Sequence, residues 1–224
     1  MEQAITMKPY KGIGMNGAIA KWYARTTGKS MSEFVALARR IADEVPAGSR
    51  VLEVAPGPGY FSIELARLGR HQVTALDISR TFVEIARRNA AQAGVPVAFQ
   101  EGNAAAMPFP SESFDFILCR AAFKNFTEPV RALEEMHRVL APGGSALIID
   151  LRADADPDQI DQAIAEMKLG AVNAAVTRFT FRFMLLKRAY TKAGFQKMVA
   201  QTSFGTAEIK QFHIGLEVTL RKPV

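Results

Sequence analysis

The chain of 224 residues has one cysteine, Cys119, which rules out an internal disulfide and any multi-cysteine metal or iron–sulfur site. Long hydrophobic runs are also missing, and none reaches the roughly 20 apolar residues that a membrane-spanning helix needs. The opening stretch MEQAITMKPYKG has no basic start followed by an apolar segment, so no secretory signal and a cytoplasmic location are expected. Histidine is scarce, and His71, His137 and His213 stand at no metal-ligand spacing, so no metal is expected. There is no internal repeat, no low-complexity tract and no long basic block. The net charge of +6 is spread along the chain, which reads as a solvated basic surface while leaving room for an anionic partner.

What is present is an alternation of short apolar runs with helical periodicity. RVLEV (50–54), QVTALD (72–77), PVAFQEG (96–102), SFDFILC (113–119) and SALIIDL (145–151) read as buried strands. Between the first two, Phe61, Leu65 and Leu68 recur at helical spacing. A second helix begins near Ser79 or Thr81, where Thr81-x-x-Glu84 fits a capping box. A third spans about Thr127 to Leu140 and is stopped by APGG. Ahead of the alternation, Ser30-x-x-Glu33 fits a capping box before an apolar stripe of Phe34, Leu37, Ala38 and Ile41. After it, residues 158–193 read as helices, and the tail from FQKMVAQTSF to KQFHIGLEVTLRKP reads as two strands in a hairpin, the later one beginning at His213. Alternating strands and helices imply a parallel sheet covered on both faces, with ligands bound outside the carboxyl ends of the strands.

One such end is VLEVAPGPGYF (51–61), a glycine-rich turn between strand and helix. A Walker phosphate loop needs Lys-Ser or Lys-Thr after its last glycine, and neither follows. The dinucleotide fingerprint is broken as well: Gly57-x-Gly59 is followed by Ser62, Ala55 stands two before Gly57, and Pro56 and Pro58 remove donors that a pyrophosphate would use. Glu53-x-x-x-Gly57-x-Gly59, with Asp77 ending the next strand, instead resembles the class I S-adenosylmethionine-dependent methyltransferases of the small-molecule type. The resemblance runs from about residue 30 to the C-terminus through VLEVAPGPG, VTALDIS, GNAAAMPFPSESFDFILC and RVLAPGGSALIIDL, in the family's order and spacing.

That resemblance implies an α/β, doubly wound, seven-stranded and mostly parallel sheet closed by a C-terminal antiparallel hairpin. It implies residues 1–47 as an N-terminal helical lid and 48–224 as the donor-binding core, with a helical insertion at about 155–193. It also implies S-adenosyl-L-methionine as cofactor and S-adenosyl-L-homocysteine as product. Asp77 would accept both ribose hydroxyls, Ile78 would cover one adenine face, and Asn103 and the Ala104 amide would meet the adenine edge. Glu53 would orient the loop and the donor's amino end, and Ala55, Gly57 and Gly59 would lie under the ligand, with Arg120 and Tyr10 completing the site. Ala55 replaces the family's first glycine, and its methyl is expected to demand a negative φ.

Methyl transfer is an in-line displacement whose main requirements are alignment and exclusion of water, and the sequence offers no motif for a general base. CRAAFKNF (119–126) leaves the fourth strand where the methyl would point. There Phe123 and Phe126 would wall an apolar pocket, Lys124 or Arg120 would hold an anionic group, and Asp150 and Arg152 are further acceptor contacts. The family's histidine near Lys124 and Asn125 is missing, and His137 reads as a packing residue. Gly12, Gly14 and Gly17 would hinge a lid in which Tyr10, Met15, Trp22 and Tyr23 cover the ligand. In 172–193, Val176, Phe179, Phe183 and Leu186 would share one helical face, with Arg178, Arg182, Lys187 and Arg188 elsewhere. An acceptor-binding cap ranks first for this segment, ahead of a dimer contact or a surface for anionic lipid. The expected partner is a small-molecule acceptor, and the protein a monomer or homodimer. An RNA methyltransferase and a non-catalytic donor-binding protein are the alternatives; nucleic acid is disfavoured because no Asn-Pro-Pro-Tyr-type motif and no paired cysteines occur.

Overall fold

Runs rich in valine, leucine and isoleucine form the centre of one sheet, because strands covered on both faces must be apolar throughout. The computed structural model describes residues 10–11, 14, 16–27, 31–166, 170–181 and 185–224. Its strands are β1 (Arg50–Val54), β2 (Gln72–Asp77), β3 (Val97–Glu101), β4 (Phe114–Arg120), β5 (Leu140–Leu151), β6 (Glu208–Phe212) and β7 (Gly215–Arg221). They form a seven-stranded sheet in the order β3-β2-β1-β4-β5-β7-β6. The pairings among β1 to β5 are parallel. β7 runs antiparallel to both β5 and β6, as the closing hairpin requires. The chain winds outward from β1 to β3 and then returns to β4 on the other side. The order therefore reverses between β1 and β4, and in open α/β sheets ligands bind outside the carboxyl ends of the strands at such a reversal.

The helices are α1 (Gly17–Thr27), α2 (Met31–Glu44), α3 (Tyr60–Arg67), α4 (Arg80–Ala93), α5 (Pro129–Val139), α6 (Pro157–Glu166), α7 (Ala171–Thr180) and α8 (Lys192–Val199). Alternation along β1 directs Val51 to one face, where α2 and α3 bring Phe34, Ile41, Phe61 and Leu65. α4 extends that layer with Val83, Ala86 and Ala90 against Ala75 and Phe99. Leu52 and Val54 point the other way, into a cluster with Leu133 and Met136 of α5 and Phe195 and Val199 of α8. Burying a leucine or phenylalanine of this kind contributes roughly 1.5–3 kcal/mol, so the two layers carry most of the stability.

Several local expectations differ from the structure. α4 is capped by Ser79, whose hydroxyl accepts from the Phe82 amide, while Thr81 lies inside the helix and its Oγ1 accepts from the Gly17 amide instead. APGG does not separate α5 from the next strand: β5 begins at Leu140, and a register shift opposite Phe114 and Phe116 absorbs the extra residues. FQKMV is the end of α8 and not a strand, since Thr191 caps a helical turn by accepting from Gly194. His213 sits in the β6–β7 turn with φ 33°. His137 packs edge-on to Phe204, as expected of a packing residue. Ser30, Met15, Gly12, Arg182 and Phe183 lie outside the described residues, and of the helix expected through 172–193 the described residues show α7 to Thr180, a short 3-10 turn at Leu186–Arg188 and the start of α8 at Lys192. Among the described residues no helix is long and apolar enough to cross a membrane.

Gly59 shows how tightly α3 is set against the sheet. It starts the helix at φ 80°, and a Cβ there would stand 2.7 Å from Phe99 Cζ and 2.9 Å from Ala86 Cβ. Gly59→Ala should therefore destabilise the fold by about 2–4 kcal/mol through left-handed strain plus overpacking. A urea midpoint lowered at unchanged slope is the expected reading.

Candidate functional site at the carboxyl ends of the strands

The turn after β1 is held down by the strand beside it. The Asp77 carboxylate, at the end of β2, accepts from the Gly57 amide at 3.0 Å through one oxygen and from the Ser79 amide at 2.8 Å through the other. It therefore ties the glycine loop to the start of α4. The side chain is buried, and desolvation pushes its pKa up to about 6 although both amides oppose the shift. Next to it Ile78 is 36% exposed, an apolar side chain just beyond the carboxyl end of β2.

Ala55 keeps the left-handed conformation of a glycine, with φ 58°, so the negative φ expected of it is not what the loop adopts. Its amide donates to Leu76 O at 2.8 Å, and the following turn fixes the loop path despite the methyl group. Above the loop stands the Tyr23 ring. A Cβ at Gly57 would meet nothing nearer than the Tyr23 ring at 4.0 Å. Glu53 lies beneath the turn, buried, where its carboxylate accepts from both the amide and the hydroxyl of Ser62. Burial pushes its pKa up to about 7, with the Ser62 bonds opposing. Asn103 is half-buried; its side-chain carbonyl already accepts from the Ala105 amide at 3.0 Å, and Ala104 packs against the core.

On the β4–β5 side the sequence-derived residues separate into two groups. Phe123 is fully buried and Phe126 nearly so, their centroids 5.2 Å apart. Lys124 is buried as well: its Nζ donates to Asp150 Oδ1 at 2.7 Å and to Ala121 O at 2.6 Å, and its amide donates to Asp150 Oδ2 at 2.8 Å. Lys124 and Asp150 thus neutralise each other in this structure and are not presented to a ligand. Arg120 pairs with Glu33 at 2.7 Å over the Phe34 ring, and Arg152 pairs with Asp154 at 2.9 Å.

The N-terminal segment crosses the same strand ends. Tyr10 bridges to Phe126 in antiparallel fashion, and the Lys11 amide donates to Asn125 O at 2.7 Å. Burial raises the Tyr10 phenol, which feels the charges of Asp77, Asp150 and Arg188. Asn16 accepts from the Ser79 hydroxyl at 2.9 Å, and Ala24 O accepts from Tyr60 at 2.9 Å, so α1 is docked over the β1 and β2 ends. Sequence reasoning missed Lys11, Asn125 and Tyr190 here. Lys11 donates to the Tyr190 hydroxyl at 3.1 Å, and a contact spanning most of the chain leaves no signal in local periodicity. Among the described residues no cluster of histidine, cysteine and carboxylates could hold a metal.

Residues 52–148 match the family model of a methyltransferase domain. This stretch of the chain belongs to that family. It is 37% identical over 102 residues to the demethylmenaquinone methyltransferase of Deinococcus radiodurans, covering 45% of this chain and 42% of that one. It is 34% identical over 155 residues to the demethylmenaquinone methyltransferase of Clavibacter sepedonicus, covering 67% and 62%. The chain spans less than half the length of the Deinococcus relative. In three dimensions it superposes on a candidate S-adenosylmethionine-dependent methyltransferase of Methanococcus maripaludis with TM-score 0.76 at 20% identity, covering 96% of both chains, which shows the shared fold.

Two stability tests follow from the buried charges. Lys124→Met should cost about 3–5 kcal/mol, because it strands the Asp150 carboxylate without its counter-charge. Glu53 binds a proton more tightly folded than unfolded, so its contribution to stability falls as pH rises from about 4.5 to about 7. Glu53→Gln should therefore be more stable than the native protein at pH 8, on the order of 2 kcal/mol, and the difference should vanish near pH 4. Chemical denaturation at the two pH values measures it.

Proposed function

We propose that the protein transfers a methyl group from S-adenosyl-L-methionine to a small-molecule acceptor. The observation that carries this reading is the buried Asp77 carboxylate at the end of β2, strapped to the bare Gly57 turn and flanked by the half-exposed Ile78. A carboxylate with lone pairs to spare suits a vicinal diol, an apolar rim residue suits a purine face, and a loop poor in donors suits a ligand without phosphates. The residues therefore fit the group. When bound, the donor supplies an electrophilic methyl on a sulfonium, already a good leaving group.

In this reading Asp77 holds the ribose, Ile78 covers the adenine, and Asn103 and Ala104 edge it. Ala55, Gly57 and Gly59 form the floor. Glu53, through Ser62, keeps the loop and the start of α3 in register beside the donor's amino end, with Arg120 nearby. Residues 1–47 act as the lid, with Tyr10 and α1 excluding water, and 155–193 shape the acceptor side. The demethylmenaquinone methyltransferases among its relatives support a small organic acceptor over RNA. What remains for the protein is alignment, worth several orders of magnitude when a nucleophile sits within about 3–3.5 Å of the methyl.

Calorimetric titration with S-adenosylhomocysteine tests the donor half. Asp77→Asn should weaken binding by at least about tenfold, since an amide accepts only through its single oxygen and loses the charge. The native affinity should fall as pH drops through about 6, because protonating Asp77 removes an acceptor, and the variant should show a flatter profile. Tight binding by Asp77→Asn with an unchanged pH profile would remove the donor from this site.

A further inference from the structure

Resting on the methyl-transfer reading, we infer that Lys11, Arg188 and Asn125 form the acceptor subsite and that the acceptor is an aryl compound with a negatively charged group and a hydrogen-bond-donating substituent. The cations first assigned to the acceptor side are already matched: Lys124 by Asp150, Arg120 by Glu33 and Arg152 by Asp154. Lys11 and Arg188 differ. Lys11 Nζ donates to the Tyr190 hydroxyl at 3.1 Å and lies 5.5 Å from the centre of that ring. Arg188 donates to Lys11 O at 3.1 Å. Among the described residues neither meets a carboxylate. Two half-buried cations joined only through neutral groups leave a positive field that an anion would neutralise.

Their position is at the strand ends. Tyr10, next to Lys11 in the chain, bridges to Phe126 beyond the end of β4, and its phenol feels the charges of both Arg188 and Asp77. Of the rings nearby, Phe123 and Phe195 are fully buried in the core, while Tyr190, half-buried and 6.1 Å from Phe123, is the ring that Lys11 of the cation pair meets. Independently, Asn125 Oδ1 in the same turn is buried without any hydrogen-bond donor, while its backbone carbonyl takes the Lys11 amide. A buried carbonyl left unmatched is costly, and a hydroxyl or amine on the acceptor would satisfy it. Charge, the half-buried Tyr190 ring and an unmatched acceptor atom thus meet at one strap, and together they specify one ligand class.

The test compares 2-, 3- and 4-hydroxybenzoate with the matching hydroxybenzamides by calorimetry, with and without S-adenosylhomocysteine. At least one carboxylate should bind the native protein about tenfold tighter than its amide. In Lys11→Gln/Arg188→Gln that preference should fall below about threefold, with amide and S-adenosylhomocysteine affinities unchanged. Asn125→Leu should erase the advantage of hydroxybenzoate over benzoate. No carboxylate preference in the native protein overturns the inference even if no variant folds, and so does a preference that survives in the double variant. These outcomes are separable from the donor reading, which stands or falls on the binding of S-adenosylhomocysteine and its dependence on Asp77.

Discussion

One carboxylate sets the geometry from which the candidate site follows. Asp77 accepts from Gly57 on the β1–α3 turn and from Ser79 at the head of α4, so a single group fixes two connections that are far apart in sequence. With Gly57 pulled down, the turn stays low, and a Cβ at Gly57 would only just reach the Tyr23 ring, at 4.0 Å. With Ser79 fixed, its hydroxyl is placed both to cap α4 and to reach Asn16, which brings the N-terminal segment over the strand ends. Ile78, between the two anchored positions, has nowhere to go but outward. The burial that makes this clamp rigid also raises the Asp77 pKa, and the two amides limit that penalty.

The β4–β5 side repeats the logic with a full ion pair. Lys124 leaves β4 in a short 3-10 turn and folds back onto Asp150, whose two oxygens also take the Lys124 and Leu151 amides. Such a pair adds little net stability over apolar residues of equal volume, but removing either partner would leave a buried charge unmatched, so the turn is held as long as both are present. That turn is what Tyr10 and Lys11 dock against. Two independent clamps, one on each side of the strand-order reversal, therefore hold the same N-terminal strap.

Much of this was legible in the sequence because it depends on local chemistry. The strands at 50–54 and 72–77 matched the apolar runs to the residue, and the seven-stranded, mostly parallel sheet with its final hairpin is the one the family resemblance implied. Glu53, Asp77 and the glycine turn were placed together by motif spacing. The errors came where tertiary context overrides local preference. Ala55 holds φ 58° because the loop is tied at both ends, by its own amide to Leu76 and by Gly57 to Asp77. Lys124 is buried because its counter-charge lies 26 positions later, at the end of a different strand. FQKMV has the apolar content of a strand, yet the Thr191 cap and packing of Phe195 on Phe123 make it helix.

The charge layout gives the two halves of the site opposite characters. Glu53 and Asp77 make the β1–β2 side acidic, and desolvation strengthens their field wherever they are ionised. On the β4–β5 side the one buried acid is already matched by Lys124, so Lys11 and Arg188 dominate. A cationic donor and an anionic acceptor placed in these halves would each meet the complementary sign, and each would be discouraged from the other's place. Their mutual attraction would add to alignment. Methyl transfer between them neutralises the sulfonium, so the product loses that attraction. The same arrangement that favours assembly of the two reactants therefore also favours release after the transfer.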